Sequence, residues 1–296
     1  MLRFYFDALH FQNLLETLGP QSFIDQLTPP QGTGNALRIR NVVPAPHLQP
    51  RITACHTLTL FSATLTPPEL HRDLLGLPSD TRVLDVPSPF SSMQLEVHIA
   101  DHISTRYAQR EASLAPMATL MARQYHELPG NYLAFFSSHD YLQRALAAFR
   151  AAHPDIPVRE QSRSMDEGAR ADFLAGFGTE TRGIAFAVLG GAFGEGIDLP
   201  GARLIGAFVA TLGLPQVNEV NEKVRDCLQA QFGAGYDYAY LYPGIQKVVQ
   251  AAGRVIRGVE DRGVVHLIDD RFQQHKIRQL LPAWWAPVAG ARGGSS

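Results

Sequence analysis

The chain has 296 residues, of which 45% are hydrophobic and 18% charged, and its net charge at pH 7 is −2. This composition indicates a globular chain with enough apolar material for two ordinary domains, or for one domain and part of another. The charge excludes a global basic field, so any nucleic-acid contact has to come from a local patch.

The cysteine content and the apolar runs restrict the class of protein further. Cys55 and Cys227 are too few for a disulfide framework or for an iron–sulfur cluster held by four cysteines. Asp7 and His10 interrupt the first residues, which therefore lack the apolar core of a signal peptide. The longest uncharged apolar run, near GIAFAVLGGAFG, is too short to span a bilayer. We expect a cytoplasmic protein with no membrane partner and no iron–sulfur cluster in this chain.

The first part of the chain differs in pattern from the rest. Residues 2–19 are predicted to form an amphipathic helix, and the stretch TPPQGTGN at 28–35 is typical of a loop. An extended segment without a strong pattern follows at 36–48. We therefore expect a boundary between about residues 30 and 55.

From residue 57 onward, short apolar runs alternate with helical stretches. Strands are predicted at 57–63, 82–86, 95–100, 131–136, 157–160, 183–189, 203–210 and 263–269. Helices are predicted at 67–75, 106–128, 139–152, 166–177, 216–231, 245–257 and 271–281. This alternation favours an α/β fold, with a mainly parallel sheet covered by helices on both faces.

The block LFSATL at 60–65 ends an apolar run with Ser62 and Thr64 on either side of Ala63. Small hydroxyl residues at the carboxyl end of a parallel strand lie where such sheets bind ligands, and they can relay hydrogen bonds between loops. A simple turn before the following helix is the alternative.

The block NYLAFFSS at 131–138 is a predicted strand that ends in Ser137 and Ser138. Either Ser138 or Asp140 is expected to be the N-cap of the next helix. A contact with a nucleic-acid phosphate is the functional alternative for these serines. Further along the chain, the adjacent residues Asp166 and Glu167 are assigned to a helix N-terminus rather than to a metal site, because acidic residues there suit the helix dipole.

A glycine-rich block, VLGGAFGEGIDLPG at 188–201, follows another predicted strand. Its glycines allow a backbone to lie against a ligand, and Glu195 and Asp198 offer carboxylates for a sugar hydroxyl, a cation or a water. The spacing G-x-x-G-x-G differs from the G-x-G-x-x-G of a dinucleotide site and disfavours one. A plain strand-to-helix turn is the alternative.

An arginine block, QAAGRVIR at 250–257, closes the last long predicted helix. On a helical period Gln250, Arg254 and Arg257 share one face, with Gly253 beside it. The two guanidinium groups present planar, multi-donor forks suited to phosphate oxygens. The alternative is a solvated basic helix end, which the helix dipole favours.

One motif is missing from the sequence. A P-loop requires G-x-x-x-x-G-K-[ST], because its lysine reaches the terminal phosphates of a nucleotide. The lysines are Lys223, Lys247 and Lys276, and none of them follows a glycine. This sequence therefore contains no P-loop of that form.

Together, SAT (62–64), NYLAFFSS, GEGIDLPG (194–201) and QAAGRVIR resemble motifs III, IV, V and VI of superfamily 2 helicases. The succession of GEGID, the arginine block and DRG resembles the DinG/XPD branch of 5′-to-3′ DNA helicases. The resemblance covers residues 57–275 and implies a RecA-like fold. In that family two motor domains bind ATP between them, and the first carries the P-loop and an acidic Mg²⁺-binding motif.

The resemblance also implies a domain organisation. Residues 1–55 would be the end of an inserted arch domain and the return into motor domain one. Residues 56–282 would be the second motor domain, with motif III at its start, and 283–296 a flexible tail. Because the sequence lacks the P-loop and the acidic motif, it is expected to bind ATP and Mg²⁺ only together with the first motor domain and to be inactive alone.

For the nucleotide, the resemblance implies that Arg254 and Arg257 reach the β- and γ-phosphates of ATP, one of them as an arginine finger. Gln250 would hold the nucleotide or the attacking water, and Gly253 would allow close approach. Arg254 is expected to be an exposed cleft residue whose replacement leaves the fold intact.

For the remaining residues, the resemblance implies nucleotide binding by the loop of Gly194, Glu195, Gly196 and Asp198. Its two carboxylates would link the nucleotide state to DNA contacts nearby. Ser62 and Thr64 would couple the nucleotide state to those DNA contacts. Ser137 and Ser138 would contact the backbone of single-stranded DNA. A non-catalytic helicase-like module that binds nucleic acid or protein is the competing hypothesis.

Overall fold

The computed structural model describes residues 2–27, 36–191, 193 and 198–289. The chain divides into two compact units, one built from residues 1–84 with 215–242 and the other from residues 85–214 with 243–296. The α-helices are α1 Leu2–Glu16, α2 Ala45–Ala54, α3 Pro68–Leu75, α4 Arg110–Glu127, α5 His139–Ala152, α6 Glu167–Ala175, α7 Glu219–Phe232, α8 Tyr242–Ala252 and α9 His275–Arg278. The strands are β1 Ser22–Leu27, β2 Ala36–Asn41, β3 Leu95–Ile99, β4 Asn131–Phe136, β5 Val158–Glu160, β6 Gly183–Val188, β7 Gly206–Ala210, β8 Gly263–Leu267 and β9 Val288–Ala289.

The first unit combines helices with a hairpin that sequence patterning missed. Strands β1 and β2 pair antiparallel, and an ion pair of 2.9 Å joins Arg40 to Asp25 across them. A small core lies beneath, formed by Val43, Leu70 and Leu228 with Tyr238. The hairpin was missed because residues 36–48 show no clear apolar alternation, the signal on which strand prediction rests.

The strands predicted at 57–63 and 82–86 are wrong, because the structure has no strand at either place. Both segments lack helix and strand and are exposed; Phe61 is 91% exposed and Leu84 85%. Their apolar composition is that of strands, but a strand persists only where a neighbour satisfies its backbone groups. No described residue pairs with either segment.

The second unit contains the predicted sheet. Its seven strands are all parallel, in the order β5-β6-β4-β7-β8-β3-β9. Every residue of the interior strand β4 is buried, so both faces of the sheet are covered, as the near-continuous apolar sequence of such strands requires. Helices α4 and α5 cover one face, where Met121 and Phe149 pack with Phe136 and Phe186. The predicted RecA-like α/β fold is confirmed.

The end of the described chain packs onto the same unit. Residues 283–289, which the sequence analysis assigned to the tail, form a 3-10 turn at Ala283–Trp285 followed by β9. Trp285 is 1% exposed, and β9 pairs with β3. Among the described residues, no helix combines the length and the apolar character that crossing a bilayer requires.

Candidate functional site

The arginine block is not helical throughout. Helix α8 ends at Ala252, and the N–H of Gly253 donates to the carbonyl of Val249 at 2.9 Å. A turn follows, in which the N–H of Arg254 donates to Ala251 at 3.3 Å. The prediction of a helix to residue 257 is therefore wrong, and Gln250, Arg254 and Arg257 do not share one helix face. Glycine lowers the propensity to continue a helix, which explains the end at this position.

The two arginines lie in different environments. Arg254 is only 9% exposed, so the prediction of an exposed cleft residue is wrong. The side chain of Arg257 is 38% exposed, and its Nε lies 3.4 Å from Oδ1 of Asp198 in the glycine-rich block. Gln250 is exposed in the last turn of α8. The structure thus brings one predicted arginine and one predicted carboxylate together.

Asp261 determines the backbone conformation next to Arg257. Its Oδ2 accepts hydrogen bonds from the N–H groups of Arg257 and Gly258, both at 2.7 Å. The sequence pattern did not single out this residue, although an aspartate between two glycines, Gly258 and Gly263, in a segment between helix and strand is a turn signal. The carboxylate holds the chain in the conformation that directs Arg257 toward Asp198.

The start of the glycine-rich block contacts α8. Gly190 has a φ of +75°, a conformation that favours glycine, and a Cβ there would lie 3.3 Å from Cδ of Lys247. The amide of Gln161 accepts a 2.8 Å hydrogen bond from the N–H of Val188 just before it. Gly194, Glu195 and Gly196 lie outside the described residues.

Close backbone packing holds α8 against the turn after β7. Gly213 has a φ of +69°, and a Cβ there would lie 2.5 Å from the carbonyl oxygen of Gly244. A Cβ on Gly244 would in turn lie 2.7 Å from the carbonyl oxygen of Leu212. Glycine at both positions permits this approach, which positions the helix that leads into the arginine block.

We expect Gly244→Ala to lower the free energy of unfolding by about 1–3 kcal/mol, because the added methyl group meets backbone atoms that cannot move aside. Gly168→Ala in α6 is the matched control, since a Cβ there meets only Oδ1 of Asp166 at 3.5 Å. The free energy of unfolding of both variants is measured by denaturant unfolding, followed through the fluorescence of buried Trp285. Equal stability of Gly244→Ala and the wild type would contradict the close packing.

The two serines after β4 have separate roles in the structure. Ser138 is the N-cap of α5, and its Oγ accepts from the N–H of Tyr141 at 3.2 Å, which confirms the capping prediction. Ser137 Oγ accepts a 2.7 Å hydrogen bond from the guanidinium of Arg110. Asp166 lies at the N-terminus of α6, as predicted, and its side chain caps this helix through a 2.8 Å hydrogen bond from the N–H of Ala169.

The candidate residues of the second unit lie at opposite ends of the sheet. Ser137 and Ser138 follow the carboxyl end of β4, whereas Arg254 and Arg257 lie in the connection that enters the amino end of β8. All strands of the sheet are parallel, so these are opposite edges. The structure does not bring the serines and the arginines into one site.

Ser62 and Thr64 belong to the first unit and form a local turn. The Oγ of Ser62 accepts from the N–H of Thr64 at 3.2 Å, and the two hydroxyl oxygens are 3.3 Å apart. This agrees with the alternative of a turn before α3. Their coupling role stays a prediction.

Comparison with known proteins identifies related chains. Residues 121–288 match a family model described as the helicase C-terminal domain. The chain is 27% identical over 260 residues to ATP-dependent helicase DinG of Mycobacterium tuberculosis, covering 84% of this chain and 38% of that protein. It is 27% identical over 260 residues to regulator of telomere elongation helicase 1 of Bos taurus, covering 78% of this chain and 21% of that protein.

Among solved structures, the apo form of XPD is similar, with a TM-score of 0.67 and 18% sequence identity. The match covers 86% of this chain and 53% of the XPD chain. The chain spans only about a fifth to two fifths of the length of the curated relatives that it matches.

Proposed function

Because this chain belongs to the helicase C-terminal domain family and is the C-terminal portion of a DinG/XPD-type superfamily 2 helicase, we propose that it is the second motor domain of an ATP-dependent 5′-to-3′ DNA helicase. In this proposal a first motor domain, carrying the P-loop and the acidic motif, holds ATP and Mg²⁺. The present chain then supplies groups that complete the nucleotide site.

The observation that carries the proposal is the contact between Arg257 and Asp198, which joins the arginine block to the glycine-rich block. The guanidinium remains partly exposed, and its planar fork of donors suits the oxygens of a terminal phosphate. Asp198 would hold the side chain in place before a nucleotide is present and would release it when phosphate oxygens compete for the same donors.

In the hydrolysis step, negative charge develops on the transferred phosphoryl group. Arg257 would donate to those oxygens, and a preorganised cation of this kind lowers the barrier because it needs no reorganisation during the reaction. The exposed amide of Gln250 would orient the nucleotide or the attacking water. Gly194, Glu195 and Gly196 would line the nucleotide together with Gly253, and buried Arg254 would support the turn that positions Arg257.

Single-stranded DNA would bind at the other edge of the sheet. The hydroxyl groups of Ser137 and Ser138 would donate to backbone phosphates, a contact that is independent of base sequence and sensitive to salt. Because this edge is remote from Arg257, the two sites would communicate through Glu195, Asp198 and the turn of Ser62 and Thr64.

The proposal is tested by mixing the chain with, or joining it to, a P-loop motor domain of the DinG type. We expect ATP hydrolysis that requires both parts and rises when single-stranded DNA is added. Duplexes with a 5′ or a 3′ single-stranded extension test the direction, and unwinding is expected only with the 5′ extension. DNA binding without any hydrolysis by the combined parts would instead favour the non-catalytic binding module.

A further inference from the structure

A buried carboxylate holds the segment before α4 at the carboxyl edge of the sheet. Asp269 is fully buried after β8, and its Oδ2 accepts hydrogen bonds from the N–H of Thr105, at 3.0 Å, and from the Thr105 hydroxyl. Arg271 donates to the same carboxylate through Nε, at 2.6 Å, and through a terminal nitrogen. Burial by itself raises the pKa of Asp269, but the hydrogen bonds from Arg271 and Thr105 outweigh burial and hold that pKa below its ordinary value. The carboxylate therefore stays charged and anchors the chain two residues before Tyr107.

Arg110, at the start of α4, lies between two aromatic rings beside Ser137. Its guanidinium carbon is 5.3 Å from the ring centre of Tyr107 and 4.9 Å from that of Tyr141. A terminal nitrogen donates to Ser137, and the buried Nε has no hydrogen-bond partner among the described residues. A guanidinium has five N–H donors, so this side chain retains donors for a further acceptor.

Arg110 also differs from the arginines around it in its ion pairing. Arg106 is paired with Asp270 at 3.0 Å, and Arg144 is paired with Glu111. Within the described part of the chain, Arg110 has no carboxylate within ion-pair distance, and its guanidinium lies beside a hydroxyl group and two aromatic rings. A local positive charge beside Ser137 therefore favours an anion supplied from outside the chain.

Tyr107 presents an exposed ring at the same place. It is 86% exposed, more than any other described tyrosine, and its 3-10 turn Tyr107–Gln109 leads directly into α4. One face of the ring is near the guanidinium of Arg110, and the exposure of the residue leaves ring surface available for stacking. Aromatic rings beside a cationic groove are the platforms on which single-stranded nucleic acids stack their bases.

We propose that Tyr107 and Arg110 are contact residues for single-stranded DNA: Tyr107 stacks on a base, and Arg110, together with Ser137, holds the adjoining phosphate. The inference rests on the proposed function, because it requires that this edge of the sheet binds DNA. It adds an aromatic and a cationic residue to a contact that the sequence predicted from two serines alone.

The test uses the 296-residue chain and a fluorescein-labelled oligodeoxythymidylate, with binding followed by anisotropy at several salt concentrations. We expect Tyr107→Ala to weaken binding about tenfold through loss of one stacked base, and Tyr107→Phe to bind like the wild type. Tyr236→Ala, which removes another exposed tyrosine, is the matched control and is expected to bind normally.

Arg110 is tested by the salt dependence, which a purely structural residue would not change. We expect Arg110→Gln to bind more weakly and to reduce the slope of log K against log salt by about 0.7, as loss of one phosphate contact from a single strand requires. Arg110→Lys keeps the charge and should retain the slope. Thermal unfolding of each variant identifies any that fail to fold.

The outcomes separate this inference from the proposed function. If the wild type binds the oligonucleotide while Tyr107→Ala and folded Arg110→Gln bind it identically, the inference is overturned and the DNA-binding function stands. If the wild type does not bind even at low salt, the DNA surface itself is refuted. An oligonucleotide carrying 5-iododeoxyuridine adds a direct readout, since photo-cross-linking is expected at Tyr107 and a cross-link confined to other residues counts against the stacking contact.

Discussion

Replacing Arg257 by alanine is expected to lower DNA-stimulated ATP hydrolysis by about 10³-fold or more when the chain works with a P-loop motor domain. The variant removes a guanidinium whose donors would meet charge that develops only in the transition state, so kcat should fall much more than KM rises. The side chain is 38% exposed, and its neighbour Asp198 is 77% exposed. An exposed ion pair contributes little to stability, so the melting temperature should hardly change.

Two comparisons make the Arg257 result specific. Arg182→Ala removes another exposed arginine of the same unit and is expected to leave hydrolysis unchanged. Arg254→Ala removes a side chain that is 9% exposed, so it should lower both the melting temperature and the hydrolysis rate through lost packing. Full hydrolysis by Arg257→Ala would refute its role as the arginine finger, whatever the result for Arg254.

Acid is expected to destabilise the second unit through His266. This residue of β8 is 6% exposed, and its Nε2 lies 2.7 Å from Oε1 of Gln124. Its ring stacks between those of Phe208 and His98, on the neighbouring strands, with centre distances of 5.4 and 5.0 Å. Burial, the largest cause, acts together with the nearby His98 and Arg123 to lower the pKa of His266 to about 3.

The sign of the effect follows from proton binding. In the unfolded chain the histidine has an ordinary pKa of about 6.5, so between that pH and about 3 the unfolded state binds more protons than the folded state. The stability that the neutral His266 contributes is therefore fully present above pH 6.5 and is lost as the pH falls toward 3. From pH 7 to pH 4 the loss from this one residue is about 3 kcal/mol.

The measurement is the free energy of unfolding between pH 4 and pH 7, monitored by the buried Trp285. We expect His266→Gln, which keeps a donor toward Gln124, to be less stable at pH 7 and to lose most of the pH dependence. His126→Gln removes a histidine whose side chain is 57% exposed and should keep the wild-type dependence. A His266→Gln profile parallel to that of the wild type would show that other groups cause the acid sensitivity.

Sequence patterning succeeded where structure depends on neighbours along the chain. Six of the seven strands of the parallel sheet begin within a few residues of their predicted positions, because runs such as NYLAFF are apolar enough to be buried on both faces. The cap at Ser138 was predictable for the same reason, since its hydroxyl accepts from an N–H only three residues away. At 57–63 the same apolar signal gave a wrong strand prediction, because a strand also requires a partner and no described residue pairs with this segment.

The sequence by itself determined the fold class and the order of the four blocks, because these are properties of local composition and spacing. Only the tertiary structure decided which arginine is buried and which faces Asp198, because α8 ends at Ala252 and Asp261 redirects the chain that follows. It also joined Arg110 to Ser137, 27 positions apart, at the edge of the sheet opposite to the arginine block. Such contacts depend on how strands and helices pack in space, and this packing follows from the burial of the whole apolar surface rather than from any short segment.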